Sequence, residues 1–174
     1  NALKQAIKVF EGGLKATEKI TGKAFGRQPY WNSSWSAEKA FDGNIYSGYH
    51  FRSPDRGYVG LDLGEGNTKT VKKARFICRR DLGRRMTNNK LQGSLDGTNY
   101  IDLFTIEEEP KFEWTSVPIT DETPYRFYRY YDVPGGAGYG NISELEFYTL
   151  PPQEFYMENN KDISLRGRTT FQTL

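Results

Sequence analysis

The segment "YVGLDLG", Tyr58 to Gly64, decides the fold class. In an extended chain Val59, Leu61 and Leu63 fall on one face, and Gly60 and Asp62 on the other. This is the period of a half-buried strand; a helix would need apolar residues three and four apart. On the C-terminal side, "ARFIC" alternates Ala74, Phe76 and Cys78 against Arg75 and Ile77. "LQGSLDGTNYIDLFTI" reads as a strand, a tight Asp96-Gly97 turn and a second strand. "YRFYRYYDV" and "ELEFY" complete the set, with Leu145 and Phe147 sharing a face. Many short strands with no helical periods between them predict a β-sandwich or barrel from about Lys19 to Tyr148.

The flanks differ. Leu3, Ile7, Phe10 and Leu14 recur at helical spacing, so residues 1–18 are expected to form a short N-terminal helix, packed on the domain or tethering it to a preceding one. Pro151-Pro152 stops the last strand, and residues 150–174 read as a linker or the start of a following domain. The β region itself spans 19–149.

Composition narrows the function classes. The 174 residues are only 36% hydrophobic but 15% aromatic, so the core is expected to be built of Tyr and Phe. A net charge of +2 is too small for a nucleic-acid-binding stripe. The single cysteine, Cys78, excludes an internal disulfide and a cysteine-built zinc site. A hydrolase triad would have to use His50, the only histidine, and no nucleophile elbow accompanies it. Glu144 and Glu146 lie on one face of a strand, but nothing marks either as a desolvated acid. "GGAGYG" lacks the lysine and the following helix of a phosphate loop. No catalytic residue is assigned.

Two stretches carry other chemistry. "AFDGNIYSGYHF", Ala40 to Phe51, offers three hard oxygens in Asp42, Asn44 and Ser47, with Gly43 letting the backbone curl. Calcium takes six to eight such oxygens in irregular geometry, yet D-G-N also spells an ordinary turn. A second acidic segment would have to close the shell. "GNISELEFY" qualifies, because Ile142 does not share a face with Leu145 and Phe147; that parity break implies a bulge that could turn Glu144 inward. "KKARFICRRDLGRR" gathers Arg79, Arg80, Arg84 and Arg85 near one strand end, as solvated charges or as forks for carboxylates and neighbouring hydroxyls.

Taken in order, "KITGKAFG", "AFDGN", "GYVGLDLGEG", "ARFICRR", "KLQGSLDG" and "TPYRFYRYYDVPGGAGYGNISELEFY" resemble the discoidin, or coagulation factor V/VIII C-type, superfamily. The likeness is to its bacterial branch of galactose-binding-like carbohydrate-binding modules. It implies an all-β, antiparallel jelly-roll sandwich with a structural calcium at one end. Asp42, Asn44 and Ser47 would then be metal-loop positions, Ser47 standing where the family usually has Thr. Ala40 and Ser143 would lend backbone carbonyls, and Glu144 the closing carboxylate. The resemblance also implies non-catalytic glycan binding by surface loops, galactose-type sugars among the candidates, in one module of a larger secreted, periplasmic or cell-surface bacterial protein. Arg79 and Arg85 match recurring arginines of that branch. Trp35 or Tyr139 would stack on a pyranose while His50, Arg52 and the arginines grip hydroxyls. The alternative is an adhesion module docking on protein or anionic membrane, for which "YHFR" would supply the apolar tip and the cations.

Overall fold

The computed structural model describes residues 18–54, 56–135 and 138–150. In Tyr58–Asp62 (β3) the pleat sends Val59 and Leu61 into the core, while Tyr58 and Asp62 face outward. The same alternation runs along Phe127–Tyr131 (β8), where Tyr128 and Tyr130 are fully buried between partly exposed neighbours. The other strands are β1 (Glu18–Lys19), β2 (Lys23–Gly26), β4 (Val71–Ile77), β5 (Lys90–Ser94), β6 (Ile101–Thr105), β7 (Thr115–Pro118) and β9 (Glu144–Thr149).

They form two antiparallel sheets, one in the order β1-β9-β4-β7 and the other β2-β3-β8-β5-β6. The chain passes repeatedly between sheets, as in a jelly-roll sandwich. Ala74, Phe76, Leu145 and Phe147 project from the first sheet onto Val59, Leu91, Tyr128 and Tyr130 of the second. The Tyr128 and Phe147 rings meet across the layers with centroids 5.3 Å apart.

A tyrosine-built core must also satisfy its hydroxyls. Tyr130 accepts from the Asn89 amide at 2.6 Å, Tyr128 donates to the Lys69 carbonyl, and Tyr49 donates to the Arg27 carbonyl at 2.9 Å. These bonds fasten loops to the core from within.

One local expectation changes, and two on the flanks fall almost wholly outside the described residues. The helix assigned to residues 1–18 lies outside the described residues except at Glu18, which is not helical: Glu18 and Lys19 pair with Thr149 and Tyr148 of β9. The 150–174 segment is described only at Leu150. The Asp96-Gly97 turn is a wider loop joining β5 to β6, in which the Asp96 carboxylate accepts from the Thr98 and Asn99 amides at 2.8 Å and Gly97 takes φ 73°.

Candidate functional site

Two clusters at one end of the sandwich are held by a shared backbone bridge, Tyr49 with Ile142. Tyr49 N donates to the Ile142 carbonyl at 2.9 Å, and Ile142 N returns the bond at 3.3 Å. His50 follows one partner and Glu144 lies two residues beyond the other, so a single bridge positions both clusters.

The first cluster is an acid pair in a curled loop. Gly43 takes φ 77°, in the left-handed region that suits glycine. Asp42 accepts from the Asn44 N–H at 2.9 Å and from the Ser47 hydroxyl at 2.8 and 3.0 Å, and Lys39 reaches it at 3.1 Å. Asn44 in turn accepts from the Tyr46 N–H at 3.1 Å. Ala40, buried, ends the short 3₁₀ turn that leads into the loop, and Ser143, also buried, donates its N–H to the Ile77 carbonyl at 3.0 Å. Glu144 opens β9, is 1% exposed, and meets Asp42. Burial and then the Asp42 carboxylate push Glu144 up to about 7. Burial acts on Asp42 in the same sense, but the Asn44 N–H, the Ser47 hydroxyl and Lys39 outweigh it and hold Asp42 below the usual carboxylate range. One Glu144 oxygen, Oε1, is buried with no hydrogen-bond partner.

The second cluster is built from three loops laced together by their backbones. Tyr30 N donates to the His50 carbonyl, His50 N to the Trp35 carbonyl, Phe51 N to the Tyr139 carbonyl, and Tyr139 N to the Pro54 carbonyl, at 2.8, 3.3, 2.7 and 3.1 Å. A bridge between Pro29 and Phe51 closes the platform. The His50 ring stands at its centre, edge-to-face with Trp35 and Tyr139 at 5.8 and 5.2 Å, and stacked on Tyr30 at 5.1 Å. Arg79, just beyond β4, lies over the Trp35 ring at 4.1 Å, and Arg85, from the 3₁₀ turn Gly83–Met86, over the Tyr139 ring at 4.9 Å.

Charge in this platform is one-sided. Among the described residues neither Arg79 nor Arg85 makes an ion pair. Arg79 Nη1 lies 3.2 Å from His50 Nδ1. Guanidinium can only donate, so Nδ1 accepts and the imidazole proton sits on Nε2. Burial, then Arg79 and Arg85, push His50 down to about 4, keeping the ring neutral.

The structure thus brings together Trp35, His50, Arg79, Arg85 and Tyr139. Arg52 lies beside them, donating to Gln28 at 3.3 Å and lining a cavity of about 330 Å³ with Gln28, Pro29, Tyr30 and Trp31. Arg80 and Arg84 stand apart: Arg80 covers Phe112 and Tyr46, and Arg84 is exposed. Sequence reasoning missed Tyr30 and Trp31, which extend the stack outward from His50; their rings are 5.6 Å apart and tilted by 14°. Trp31 is 86% exposed and sits at φ 72°, and Tyr139 sits at φ 59°. Bulky residues in the left-handed region cost about 1–2 kcal/mol each and cluster at functional sites. The signal was legible in "QPYWNSS", an aromatic pair set between Pro29 and the turn residues Asn32 and Ser33.

Comparison with known proteins places this architecture. The chain aligns with a carbohydrate-binding module of family 62 from Clostridium thermocellum Xyl5A at 32% identity and TM-score 0.71, covering 77% of this chain and 98% of that one. The family 32 module of Clostridium perfringens NanJ, solved with galactose, shares the fold at 17% identity and TM-score 0.55, with 72% and 92% coverage. Another Clostridium perfringens family 32 module, solved with GalNAc-β-1,3-galactose, does so at 16% identity and TM-score 0.56, with 78% and 96% coverage. Comparison with curated protein sequences returned no match. The F5/8 type C domain family matches residues 17–145. With its two-sheet sandwich and that match across the β region, the chain belongs to the F5/8 type C, or discoidin, domain family.

Proposed function

We propose that this chain is a non-catalytic glycan-binding module whose ligand sits on the platform of Trp35, His50, Arg79, Arg85 and Tyr139, with Tyr30, Trp31 and Arg52 continuing it. The observation that carries the reading is the pair of guanidiniums with no ion-pair partner, each laid on an aromatic ring around a neutral imidazole. Aromatic faces take the C–H face of a pyranose, and guanidinium forks and the Nε2–H donate to its hydroxyls. Galactose-type sugars are favoured by likeness to modules solved with galactose and with GalNAc-β-1,3-galactose. Such a module would serve within a larger exported bacterial protein. The described residues include no helix long and apolar enough to cross a membrane.

The acid pair is the place for a structural calcium. Two abutting carboxylates, one of them buried with an oxygen lacking any partner, call for a cation or a proton between them. The donors that fit are the side chains of Asp42, Asn44, Ser47 and Glu144 with the carbonyls of Ala40 and Ser143. Every donor in this set is oxygen, which suits a hard cation and not a transition metal. Calcium would neutralise the pair and fasten the loop beside the Tyr49–Ile142 bridge. Chemistry on the sugar is no part of its role.

A glycan array on the purified chain, followed by calorimetric titration of the hits, tests the platform. Galactose-terminated glycans are expected to bind, and Arg79→Ala or His50→Ala to abolish binding with the fold intact. A blank array together with binding to anionic vesicles would instead favour the docking module.

A further inference from the structure

The outer face of the five-stranded sheet carries a separate cavity of about 300 Å³, lined among others by Phe25, Tyr58, Tyr100, Phe127 and Arg129. Glycine at position 60 lets the lining side chains lie close on the sheet: a Cβ there would lie 2.2 Å from the Tyr128 carbonyl and 2.8 Å from both the Phe25 ring and Arg129 Cβ. Phe25 meets Tyr58 at 6.1 Å and stands edge-on to Phe127 at 6.0 Å, making an aromatic wall.

Arg129 crosses this floor from the middle of β8. Its guanidinium lies 3.4 Å from the Tyr100 ring centroid, 4.9 Å from that of Tyr58 and 4.7 Å from that of Tyr131. Nε donates to Gln92 Oε1 at 2.8 Å, and Gln92 is held in turn by Asp102 at 2.7 Å. Among the described residues Arg129 has no ion pair. Burial holds it below the ordinary guanidinium value, so its charge is poorly compensated. The acid that lines the cavity, Asp62, is bound to Arg126 at 2.7 and 2.9 Å, whereas Lys23 adds a second positive charge. A half-buried cation walled by rings, in a cavity whose lining acid is already paired, is complementary to a ring-shaped anion.

We infer that this sheet-face cavity is a second glycan subsite for a hexuronate residue, with its carboxylate on Arg129 and its pyranose face against the Phe25, Tyr58 and Phe127 wall. It shares no residue with the loop platform and stands or falls independently of it.

The test is titration of the full chain with sodium D-galacturonate, followed by aromatic NMR. Resonances of Tyr58, Tyr100 and Phe127 are expected to shift, and D-galactose at the same concentration is expected to leave them in place. Arg129→Gln should weaken uronate binding about ten-fold or more, the range for losing a charged hydrogen-bond partner. Because Arg129 also packs the sheet, the exposed Lys23→Gln provides a second reading, with about three-fold weakening expected of a rim charge. His50→Ala and Arg79→Ala should leave these shifts unchanged. The inference is overturned if uronate shifts only the His50 platform, if folded Arg129→Gln binds as before, if acetate reproduces the shifts at equal affinity, or if no resonance moves.

Discussion

Arg79 Nη1 donates to His50 Nδ1 across 3.2 Å, so burial and then a neighbouring cation hold the one histidine of the chain neutral. Its folded value, about 4, lies below the ordinary 6.5, so the unfolded chain takes up the proton first. The contribution of His50 to stability is therefore intact above about 6.5 and is lost as pH falls toward 4. Sugar affinity, which on the proposed reading needs the Arg79–His50 contact, should stay flat from pH 8 to near 5 and drop below that. Imidazole NMR and calorimetry at stepped pH check both points; an ordinary midpoint near 6.5 would contradict the geometry.

Calcium should raise the melting temperature and EDTA should lower it. Binding only to the folded form at one hundred times Kd adds about 2.7 kcal/mol, on the order of 10 °C for a domain of this size. Asp42→Ala or Glu144→Gln should abolish the response to calcium in scanning calorimetry. A melting curve indifferent to calcium in the unmodified chain would remove the ion from the acid pair.

Trp31→Gly separates binding from stability. The substitution relieves a left-handed backbone position at an 86% exposed side chain, so the melting temperature should be no lower than that of the parent. Affinity for an oligosaccharide should fall about five- to ten-fold, roughly 1–1.4 kcal/mol, while affinity for a monosaccharide seated at His50 changes little. Equal loss for both ligands would place Trp31 within the central contact and not beyond it.

Gly48→Ala should damage both clusters together. A Cβ at Gly48 would lie 2.4 Å from the Ile142 carbonyl and 3.0 Å from Ser143 Cα, spreading the bridge that sets His50 and Glu144. Overpacking of this kind costs about 1–3 kcal/mol. Thermal melts should show that loss, and both the calcium response and sugar affinity should weaken.

The strands were readable where one face is dry and the other wet. Tyr58–Asp62 alternates because Val59 and Leu61 pack on the core while Asp62 faces Arg126 in solvent. Glu144 was readable too, because the parity break at Ile142 marks the bridge to Tyr49. Lys23–Gly26 and Thr115–Pro118 are four-residue outer strands, too short for a period to show. The turn Asp96-Gly97 was placed correctly, but its width depends on carboxylate bonds two and three residues onward. "QPYWNSS" marks an aromatic pair at a turn, but Tyr30 and Trp31 gain their positions from the Pro29–Phe51 bridge and the stack on His50, contacts between segments about twenty residues apart that the local sequence does not specify.

The pairing of Glu18 with Thr149 and Lys19 with Tyr148 carries a mechanical consequence. The two ends of the β region run antiparallel as neighbours, so a pull applied through residues 18 and 149 in opposite directions peels their hydrogen bonds one after another instead of shearing them all at once. With β1 only two residues long, the β1–β9 seam gives way first and exposes the flank of β9, the strand that begins with Glu144. Tension on the flanking chain would therefore reach Phe147, and the Tyr128 ring it packs on, before it reached Glu144 at the far end of the strand.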